Sequence, residues 1–510
     1  MLAKVHSVAV NGMDAHPVEV EVDLAMGLPM FTVVGLPDAT VRESRDRVRS
    51  ALHNSGFGFP QRKITVNLAP ANLRKEGAGF DLPMAVGILA AEGLIPPEAL
   101  REFVMVGEVS LEGGIKPVHG VLSMALACRG RGFKGLLVPA ENAEEAAIVE
   151  DVPVYPVATI PQVVEYLTGV QVLARKERAP AQVCPDSNGA GDFSDVRGQQ
   201  HAKRALEVAA AGGHNLLLVG PPGSGKTMLA QRLPGILPPL AEAEAVETAA
   251  IHSAAGLSAE EAIGRRPFRS PHHSATGPAL VGGGQRPRPG EVSLAHNGVL
   301  FLDELAEFRR ATLEVLRQPL EDGYVTVVRH LGVCRMPARF QLVAALNPCP
   351  CGNAGAARAA CRCTPGDLRG YLGRLSGPLL DRIDLHVAVP APSFDEMAGP
   401  PAESTGAVRS RVVAARDRQA ARTQGGNPSC SNAFLPSASL RKLVRPEADG
   451  QRLLRHAVDR LGLSARGLDR ILRVARTISD LADSEDIKSD HLAEALHFRR
   501  SLDDATLTPM

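Results

Sequence analysis

The stretch Gly220 to Thr227 constrains this chain more than any other. It reads Gly-Pro-Pro-Gly-Ser-Gly-Lys-Thr, so that two glycines with four residues between them are followed by a lysine and a threonine. This is the P-loop pattern, in which a buried strand leads into a phosphate-binding loop and then into a helix. The apolar run Leu216 to Val219 predicts the strand, and Met228 to Ala230 favour the helix. A glycine-proline turn with a chance lysine would not explain these two flanking elements.

The chemistry of the loop predicts ATP and Mg²⁺ as ligands. Gly223 and Gly225 allow backbone N–H groups to turn inward around phosphates, and Lys226 neutralises the β and γ oxygens. The Thr227 hydroxyl is a ligand for Mg²⁺. We expect the nucleotide to be bound by Gly220, Pro221, Pro222, Gly223, Ser224, Gly225, Lys226 and Thr227.

A second apolar run ends in two carboxylates. Residues 298–302 are followed by Asp303 and Glu304. Acidic pairs after apolar strands are common, but downstream of a P-loop such a pair is the expected Walker B motif. Asp303 would hold Mg²⁺ through water, and Glu304 would orient and polarise the attacking water.

A third run, Phe340 to Leu346, is predicted to be a strand that ends at Asn347. An asparagine at this place resembles sensor 1 of AAA+ ATPases, which contacts the γ-phosphate or the attacking water. Because proline follows it, a simple Asn-Pro turn fits equally well locally. Only the order of the motifs favours the sensor.

Composition restricts the class of protein. A chain of 510 residues exceeds what one hydrophobic core usually supports, so we expect two or three domains. The apolar fraction of 45% and charged fraction of 22% are ordinary for a soluble protein. No apolar run is long enough for a membrane helix and no signal pattern opens the chain, so we expect a cytoplasmic protein without a membrane partner. The net charge of zero excludes a uniformly basic surface, so any nucleic acid would bind local patches.

We expect an α/β fold with three domains and two linkers. The boundaries are 1–170 for an N-terminal domain, 171–192 for a linker, 193–395 for an ATPase core, 396–430 for a linker with one helix, and 431–510 for a C-terminal helical lid. In the first domain we predict strands at Phe31 to Val34, Lys63 to Leu68, Phe103 to Val106 and Gly135 to Val138. Helices are predicted at Val41 to Asn54, Pro83 to Glu92, Val121 to Arg131 and Asn142 to Val149.

Three motifs in the first domain resemble the protease domain of the Lon family, in the same order and at similar spacing. They are Lys75 to Pro83, Val106 to Ile115 and Leu137 to Asn142. That family uses a serine nucleophile in the first motif and a lysine base in the helix after the second. Gly79 takes the serine position here, and Leu122 lies nearest the lysine position. Because a Ser-Lys dyad needs both members, we expect a Lon-protease-like (S5-type) α/β domain without proteolytic activity, used for assembly or substrate contact.

The full order of motifs resembles the YifB/ComM family of magnesium-chelatase-like AAA+ ATPases. The residues that carry the resemblance are the Lon-like domain, Gly220 to Thr227, Arg266 to His273, Pro289 to Gly298, two cysteine pairs and Arg374 to Arg382. The resemblance covers nearly the whole chain. It implies a homo-hexameric ring that couples ATP hydrolysis to DNA branch migration, a helicase activity used in recombination during natural transformation (competence).

The same resemblance implies roles for two arginines. Arg382 would be the arginine finger that reaches a nucleotide bound to the neighbouring subunit, with Arg374 as the rival and a surface ion pair as the alternative. Arg466, with Arg470 second, would be the sensor 2 residue that swings onto the γ-phosphate and couples nucleotide state to the lid.

Two stretches contain no acidic residue, which suggests an anionic partner such as DNA. Residues 262–290 include Arg265, Arg266, Arg269, His272, His273, Arg286 and Arg288. Residues 323–366 include Arg329, Arg335, Arg339, Arg358 and Arg362, with Val325 to Val328 and Arg335 to Phe340 as possible strands of a hairpin. In ring ATPases of the magnesium-chelatase and MCM class these stretches correspond to an insertion in helix 2 and a hairpin before sensor 1, both of which project into the central pore. The alternative is that the arginines pair with acids elsewhere in the chain.

Four of the eight cysteines form two Cys-x-Cys pairs close together, Cys349 with Cys351 and Cys361 with Cys363. Four thiolates at this spacing predict a possible structural Zn²⁺ site next to sensor 1. Because the pairs are tighter than the usual zinc spacing, four reduced structural cysteines are the alternative.

Three other functions compete with the DNA motor. A protein-remodelling ATPase similar to the magnesium chelatase subunit would need a protein partner and no DNA. A Lon-type protease is opposed by Gly79 and Leu122. Nucleotide binding that serves ring assembly alone would need no hydrolysis at Glu304.

Overall fold

The computed structural model describes residues 1–11, 13–178, 191–284, 288–329, 332–354, 360–422, 431–444, 446–461 and 463–506. The chain divides into two compact units. The first consists of Met1–Gln182, Ala245–Ile263 and His330–Arg335, and the second of Val183–Glu244, Gly264–Arg329 and Met336–Met510. No helix among the described residues is both long and apolar enough to cross a membrane.

A seven-stranded mixed sheet forms the centre of the first unit, in the order β3-β4-β2-β1-β5-β8-β9. Strands β1, β2 and β4 are antiparallel to their neighbours in this series, whereas β3–β4, β1–β5, β5–β8 and β8–β9 pair in parallel. Strands β6 and β7 form a separate two-stranded sheet. The bounds are β1 (Leu2–Asn11), β2 (Asp14–Ala25), β3 (Met30–Val34), β4 (Lys63–Ala69), β5 (Phe103–Met105), β6 (Glu108–Val109), β7 (Ile115–Lys116), β8 (Gly135–Pro139) and β9 (Val154–Val157).

Six helices accompany this sheet. They are α1 (Ala39–Asn54), α2 (Asp81–Ala91), α3 (Pro97–Glu102), α4 (Val121–Cys128), α5 (Ala143–Ala146) and α6 (Ile160–Leu167). Helix α1 begins where the Asp38 carboxylate accepts a hydrogen bond from the backbone N–H of Val41. Helix α2 is apolar on all sides and every one of its residues is buried, which makes it the central helix of the unit. The four strands and the helices predicted here are confirmed, although α4 and α5 are shorter than expected.

The second unit is built on a five-stranded parallel sheet in the order β11-β12-β15-β10-β16. Strands β13 and β14 form a separate two-stranded sheet. The bounds are β10 (Leu216–Val219), β11 (Phe268–Arg269), β12 (Val299–Leu302), β13 (Tyr324–Arg329), β14 (Gly332–Pro337), β15 (Gln341–Leu346) and β16 (Leu385–Ala388). The predicted strands before the P-loop, before Asp303 and before Asn347 are confirmed as β10, β12 and β15.

The predicted second strand of the hairpin was wrong in its bounds. It runs from Gly332 to Pro337, and residues 338–340 are not part of it. These residues bond elsewhere: the N–H of Ala338 donates to Gly323, and the carbonyl of Arg339 accepts from Asn297. The hairpin therefore ends before the chain turns into β15.

The remaining helices follow the P-loop order of the chain. They are α7 (Gln200–Gly212), α8 (Lys226–Ile236), α9 (Glu242–Ala255), α10 (Ala259–Ala262), α11 (Gly277–Val281), α12 (Glu291–Leu294), α13 (Arg310–Glu314), α14 (Arg317–Asp322), α15 (Pro365–Leu372), α16 (Gly377–Leu380), α17 (Phe394–Ala398), α18 (Thr405–Arg422), α19 (Ser437–Leu443), α20 (Ala448–Leu461), α21 (Ala465–Leu481) and α22 (Ser489–Thr506). From Ala245 onward, α9 and α10 belong to the first unit.

One hydrophobic core joins the parallel sheet to the C-terminal helices. Residues of β10, β12, β15 and β16 share it with α7, α8, α18, α21 and α22. Helix α18, which we expected within a linker, buries Val408, Val412 and Ala415 on one face. The face is apolar at helical spacing, so α18 contributes to this core.

Candidate functional site: a nucleotide site at the carboxyl edge of the parallel sheet

The structure brings the three predicted motifs of the ATPase to one edge of the sheet. The P-loop follows β10, Asp303 and Glu304 follow β12, and Asn347 follows β15. These strands are parallel neighbours in the order β12-β15-β10, so their carboxyl ends lie side by side. Open α/β sheets bind their ligands at this edge.

Glycines shape the loop in two different ways. Gly223 and Gly225 have φ angles of 77° and 90°, in the left-handed region that other residues avoid. Gly220 is needed for space, because a Cβ there would lie 2.1 Å from the carbonyl oxygen of Val389. The N–H of Gly220 donates to Leu346 at 3.0 Å, which ties the start of the loop to the end of β15.

Lys226 is buried at the start of α8, and its ammonium group points back into the loop. It donates to the carbonyls of Gly220 at 2.7 Å and Pro221 at 2.8 Å, and to the side-chain oxygen of Asn347 at 3.2 Å. Burial lowers the pKa of Lys226, while the charges of Asp303 and Glu304 oppose that change. Its present partners are oxygen atoms, so phosphate oxygens are chemically equivalent acceptors for the same three N–H bonds.

Thr227 and Asp303 fit a magnesium ion. The Thr227 hydroxyl donates to the Asp303 carboxylate at 2.8 Å, so a hydroxyl and a carboxylate oxygen already converge beside the loop. Hard oxygen ligands of this kind, completed by phosphate and water, are what Mg²⁺ prefers. When bound, Mg²⁺ would neutralise charge on the phosphates.

Glu304 has a partner that the sequence did not indicate. Its carboxylate lies 3.3 Å from Nδ1 of His273, and its backbone is in the left-handed conformation with φ of 51°. The His272 ring lies against the His273 ring at a centroid distance of 4.0 Å. The structure thus places His273, which we expected to contact DNA, beside the predicted water-orienting glutamate.

Arg382 lies at the opposite edge of the same sheet. It precedes β16, whose four residues span roughly 13 Å at the usual rise per residue. The P-loop follows the carboxyl end of the neighbouring strand β10, which pairs with β16 in parallel along its whole length. The arginine and the loop of one chain are therefore separated by the length of the strands.

The cleft beside Arg382 has a volume of about 420 Å³ and is lined by arginines. Its charged lining consists of Glu321, Arg339, Arg382, Asp384, Arg466, Asp469, Arg470 and Arg473. Arg382 is paired with Glu321 and donates to the Pro378 carbonyl at 2.6 Å, so the expected surface pair with a neighbouring aspartate is replaced by these two partners.

Arg466 is exposed in this cleft, which no residue of the P-loop lines. The expectation that Arg466 swings onto the γ-phosphate of its own chain is not what this arrangement provides. Arg470 is bound to Asp384 at 2.9 Å. Arg374, the rival finger, donates to the Ala306 carbonyl at 2.8 Å and to Glu307 at 3.0 Å, close in sequence to Glu304.

The residues predicted to contact DNA are in different environments. Arg266 is largely buried, donates to two backbone carbonyls and pairs with Glu244 at 3.2 Å. Arg269 forms a bidentate pair with Glu291 at 2.7 and 2.8 Å. For these two arginines the alternative of internal pairing is the one that the structure contains.

Other members of that set remain at the surface. The exposed side chains among them are Arg265, His272, Arg288, Arg335, Arg339 and Arg362. The side chain of Arg329 and the whole of Arg286 and Arg358 lie outside the described part of the chain.

The four clustered cysteines do meet in space. The sulfur atoms of Cys349, Cys351, Cys361 and Cys363 all lie within 4.8 Å of one another. The cluster follows Asn347 directly, as the sequence order requires.

In the first unit, the positions of the expected protease dyad hold no nucleophile or base. Gly79 lies in a short turn, Ala78–Phe80, that leads into α2. Leu122 is fully buried on α4. Neither side chain has a titratable or nucleophilic atom.

Comparison with known proteins gives the same family over all parts of the chain. The family described as "Magnesium chelatase, subunit ChlI" matches residues 192–397, "Subunit ChlI of Mg-chelatase" matches 20–142, and "Magnesium chelatase, subunit ChlI C-terminal" matches 402–499. The chain is 46% identical over 501 residues to the uncharacterized protein YifB of Escherichia coli, covering 98% of this chain and 97% of that protein. It is 46% identical over 503 residues to the competence protein ComM of Haemophilus influenzae, with the same coverage of 98% and 97%. A Lon protease of Azorhizobium caulinodans is 27% identical over 180 residues, which are 32% of this chain and 21% of that protease.

Proposed function

Since the chain belongs to the YifB/ComM family of magnesium-chelatase-like AAA+ ATPases, we propose that it is a ring-forming motor that hydrolyses ATP to drive branch migration of DNA junctions. The ring is a homo-hexamer, and the process is recombination during natural transformation. The name of the Haemophilus relative, a competence protein, favours that process.

The observation that carries the ring is the division of the ATPase site between two edges of one sheet. Lys226, Thr227, Asp303 and Glu304 lie at the carboxyl edge, and Arg382 lies at the amino edge with Arg466 in the same cleft. A side chain does not extend over the length of a strand, so these arginines complete a site only on another copy of the chain. A head-to-tail contact of this kind generates a ring when its rotation closes.

Each residue then has a defined task. The P-loop N–H groups and Lys226 hold the β and γ phosphates, and Thr227 with Asp303 hold Mg²⁺. Glu304 orients the attacking water and accepts its proton, with His273 fixing the carboxylate. Asn347 bridges the two parts, because it contacts Lys226 and follows the strand between them. The Arg382 guanidinium of the adjacent subunit stabilises charge on the transferring phosphoryl group, so hydrolysis depends on assembly.

For DNA, the exposed arginines Arg335 and Arg339 are better candidates than Arg266 and Arg269, whose charges are already paired. Contacts to phosphates supply affinity without reading sequence, as a motor that moves along any junction requires.

The experiment is ATP-dependent displacement of a labelled strand from a mobile four-way DNA junction. The wild type is compared with Glu304→Gln, which retains the nucleotide contacts but lacks the base. We expect displacement by the wild type alone, and a weaker junction affinity for the Arg335→Ala, Arg339→Ala double variant. ATP hydrolysis that DNA does not stimulate, with no displacement, would sink this proposal and favour a protein-remodelling motor similar to the chelatase subunit.

A further inference from the structure

The cysteine cluster has the geometry of a single-metal site. The distance from the Cys349 sulfur to that of Cys351 is 3.3 Å, and Cys361 lies 3.7 Å from both. Zinc with four thiolates is tetrahedral with Zn–S bonds of about 2.3 Å, which sets the edges between sulfur atoms at about 3.8 Å. A disulfide needs about 2.0 Å, and all the described cysteines are unpaired.

Backbone N–H groups surround the sulfur atoms as they do around a bound thiolate. The N–H of Ala354 donates to Cys349 at 3.2 Å. The N–H groups of Asn353 and Arg362 donate to Cys351. Donors aimed at the ligand atoms of a metal orient them and stabilise their charge. Four neutral thiols packed for structural reasons alone would not call for such donors.

The cluster also touches the nucleotide loop. Gly352, which follows Cys351, has a φ of 79°, and a Cβ on it would lie 2.5 Å from Cδ of Pro222 in the P-loop. On the other side, Cys349 comes two residues after Asn347, which accepts from Lys226 at 3.2 Å. The turn that contains two of the four sulfur atoms is therefore packed against the loop at one end and joined to the lysine contact at the other.

We propose that Cys349, Cys351, Cys361 and Cys363 hold one Zn²⁺ ion, and that this ion keeps the turn at Gly352 against Pro222, so that nucleotide binding depends on the metal. The four sulfur atoms fill the coordination sphere, which leaves no open position, and the ion is structural. This goes beyond the ATPase proposed above, which requires Mg²⁺ but no zinc.

The metal is tested on the full chain purified under reducing conditions without chelators. Zinc and iron per chain are measured by mass spectrometry for the wild type, the Cys351→Ser, Cys363→Ser double variant, and Cys128→Ser. Cys128 is a buried cysteine of the first unit outside the cluster, so it is the matched control. We expect one zinc per chain in the wild type and the control, and loss of the metal in the double variant. A metal-free wild type, or iron in place of zinc, overturns the assignment.

The coupling is tested by equilibrium binding of a fluorescent ATP analogue before and after zinc is removed with a mercurial and EDTA. We expect affinity to fall by about tenfold or more and to return when Zn²⁺, but not Mg²⁺ alone, is added back. Unchanged affinity without zinc would refute the coupling.

Two variants keep the result independent of misfolding. Cys351→His retains a zinc ligand, so both zinc and nucleotide binding are expected to survive. Gly352→Ala keeps all four ligands but forces its Cβ onto Pro222, so zinc is expected to stay while nucleotide affinity falls. Equal affinity for Gly352→Ala and the wild type contradicts the proposed contact. Because zinc content and binding are read without hydrolysis or DNA, they separate this inference from the branch-migration proposal.

Discussion

The most discriminating perturbation mixes two inactive variants. Arg382→Ala keeps an intact P-loop, Lys226 included, and Lys226→Ala keeps an intact arginine at the other edge of the sheet. Each variant alone is expected to lose ATP hydrolysis, Arg382→Ala by about 10³- to 10⁵-fold, as for other arginine fingers. In a mixed ring, the P-loop of one variant meets the arginine of the other, and that site is whole again.

The recovered activity can be calculated from the arrangement. In a ring of randomly mixed subunits at equal amounts, half of the loops retain Lys226 and half of their neighbours retain Arg382. About a quarter of the interfaces are then complete, and hydrolysis should reach about a quarter of the wild-type rate if sites act independently. This is far above the sum of the two separate variants.

The assay is steady-state phosphate release at a fixed total concentration while the ratio of the two variants is changed. The rate should rise from near zero at either end to a maximum at equal amounts. Arg382 is 7% exposed and paired with Glu321, so Arg382→Ala must first be shown to fold, by its thermal unfolding curve. Mixing that yields only the sum of the parts would refute the division of the site between subunits, because a site complete within one chain cannot be complemented.

Three further outcomes follow from single contacts. His273→Ala should lower the rate of hydrolysis by about 10- to 100-fold by releasing Glu304, with ATP affinity and DNA affinity unchanged in binding titrations; a loss of DNA affinity instead would return this histidine to the DNA surface. Gly220→Ala should abolish ATP binding, since its Cβ would lie 2.1 Å from a carbonyl oxygen, whereas Gly223→Ala meets no atom within 4 Å and should cost about 1–2 kcal/mol of stability at most; equal effects of the two in ATP titration and urea unfolding would contradict the packing. Asp384→Ala should lower the free energy of unfolding in urea by about 3 kcal/mol by leaving its arginine partner unpaired. Burial opposes ionisation of Asp384, yet the neighbouring histidine and arginine keep its pKa below 3.8, so its contribution is complete above pH 3.8 and is lost as the pH falls through the folded pKa; a wild type and variant that unfold equally at neutral pH would refute it.

Local patterns were enough to predict the carboxyl edge of the parallel sheet. Strands β10, β12 and β15 are short runs that are buried on both faces, and such runs read as continuous apolar segments. Each is followed at once by polar residues, so Lys226, Asp303 and Asn347 could be placed at one edge from strand ends alone. The opening strands β1 and β2 were missed although the signal was present. Their buried residues alternate with exposed ones, as at Val18, Val20 and Val22 in β2.

Contacts between distant parts of the chain were beyond the reach of such patterns. Arg266 lies in a stretch without acidic residues, but its partner Glu244 comes from a helix that precedes the stretch. Absence of acids along the sequence therefore does not mean absence of acids in space. In the same way, Glu304 meets His273 from a loop before β12. Charge segregation predicts a binding surface only after these pairs are removed from the count.

The first unit has a structural task that its resemblance to a protease does not explain. Residues 245–263 follow the P-loop helix in sequence, yet they are part of this unit. Ala249, Ala250, Ala259 and Ala262 are buried there in one cluster with residues of α4 and β8. The core built by residues 1–170 is therefore incomplete without a segment from the middle of the ATPase sequence. Burial of apolar surface stabilises both partners in such a cluster. A domain without a nucleophile can be retained for this reason alone, because the inserted helix α9 needs it as a support.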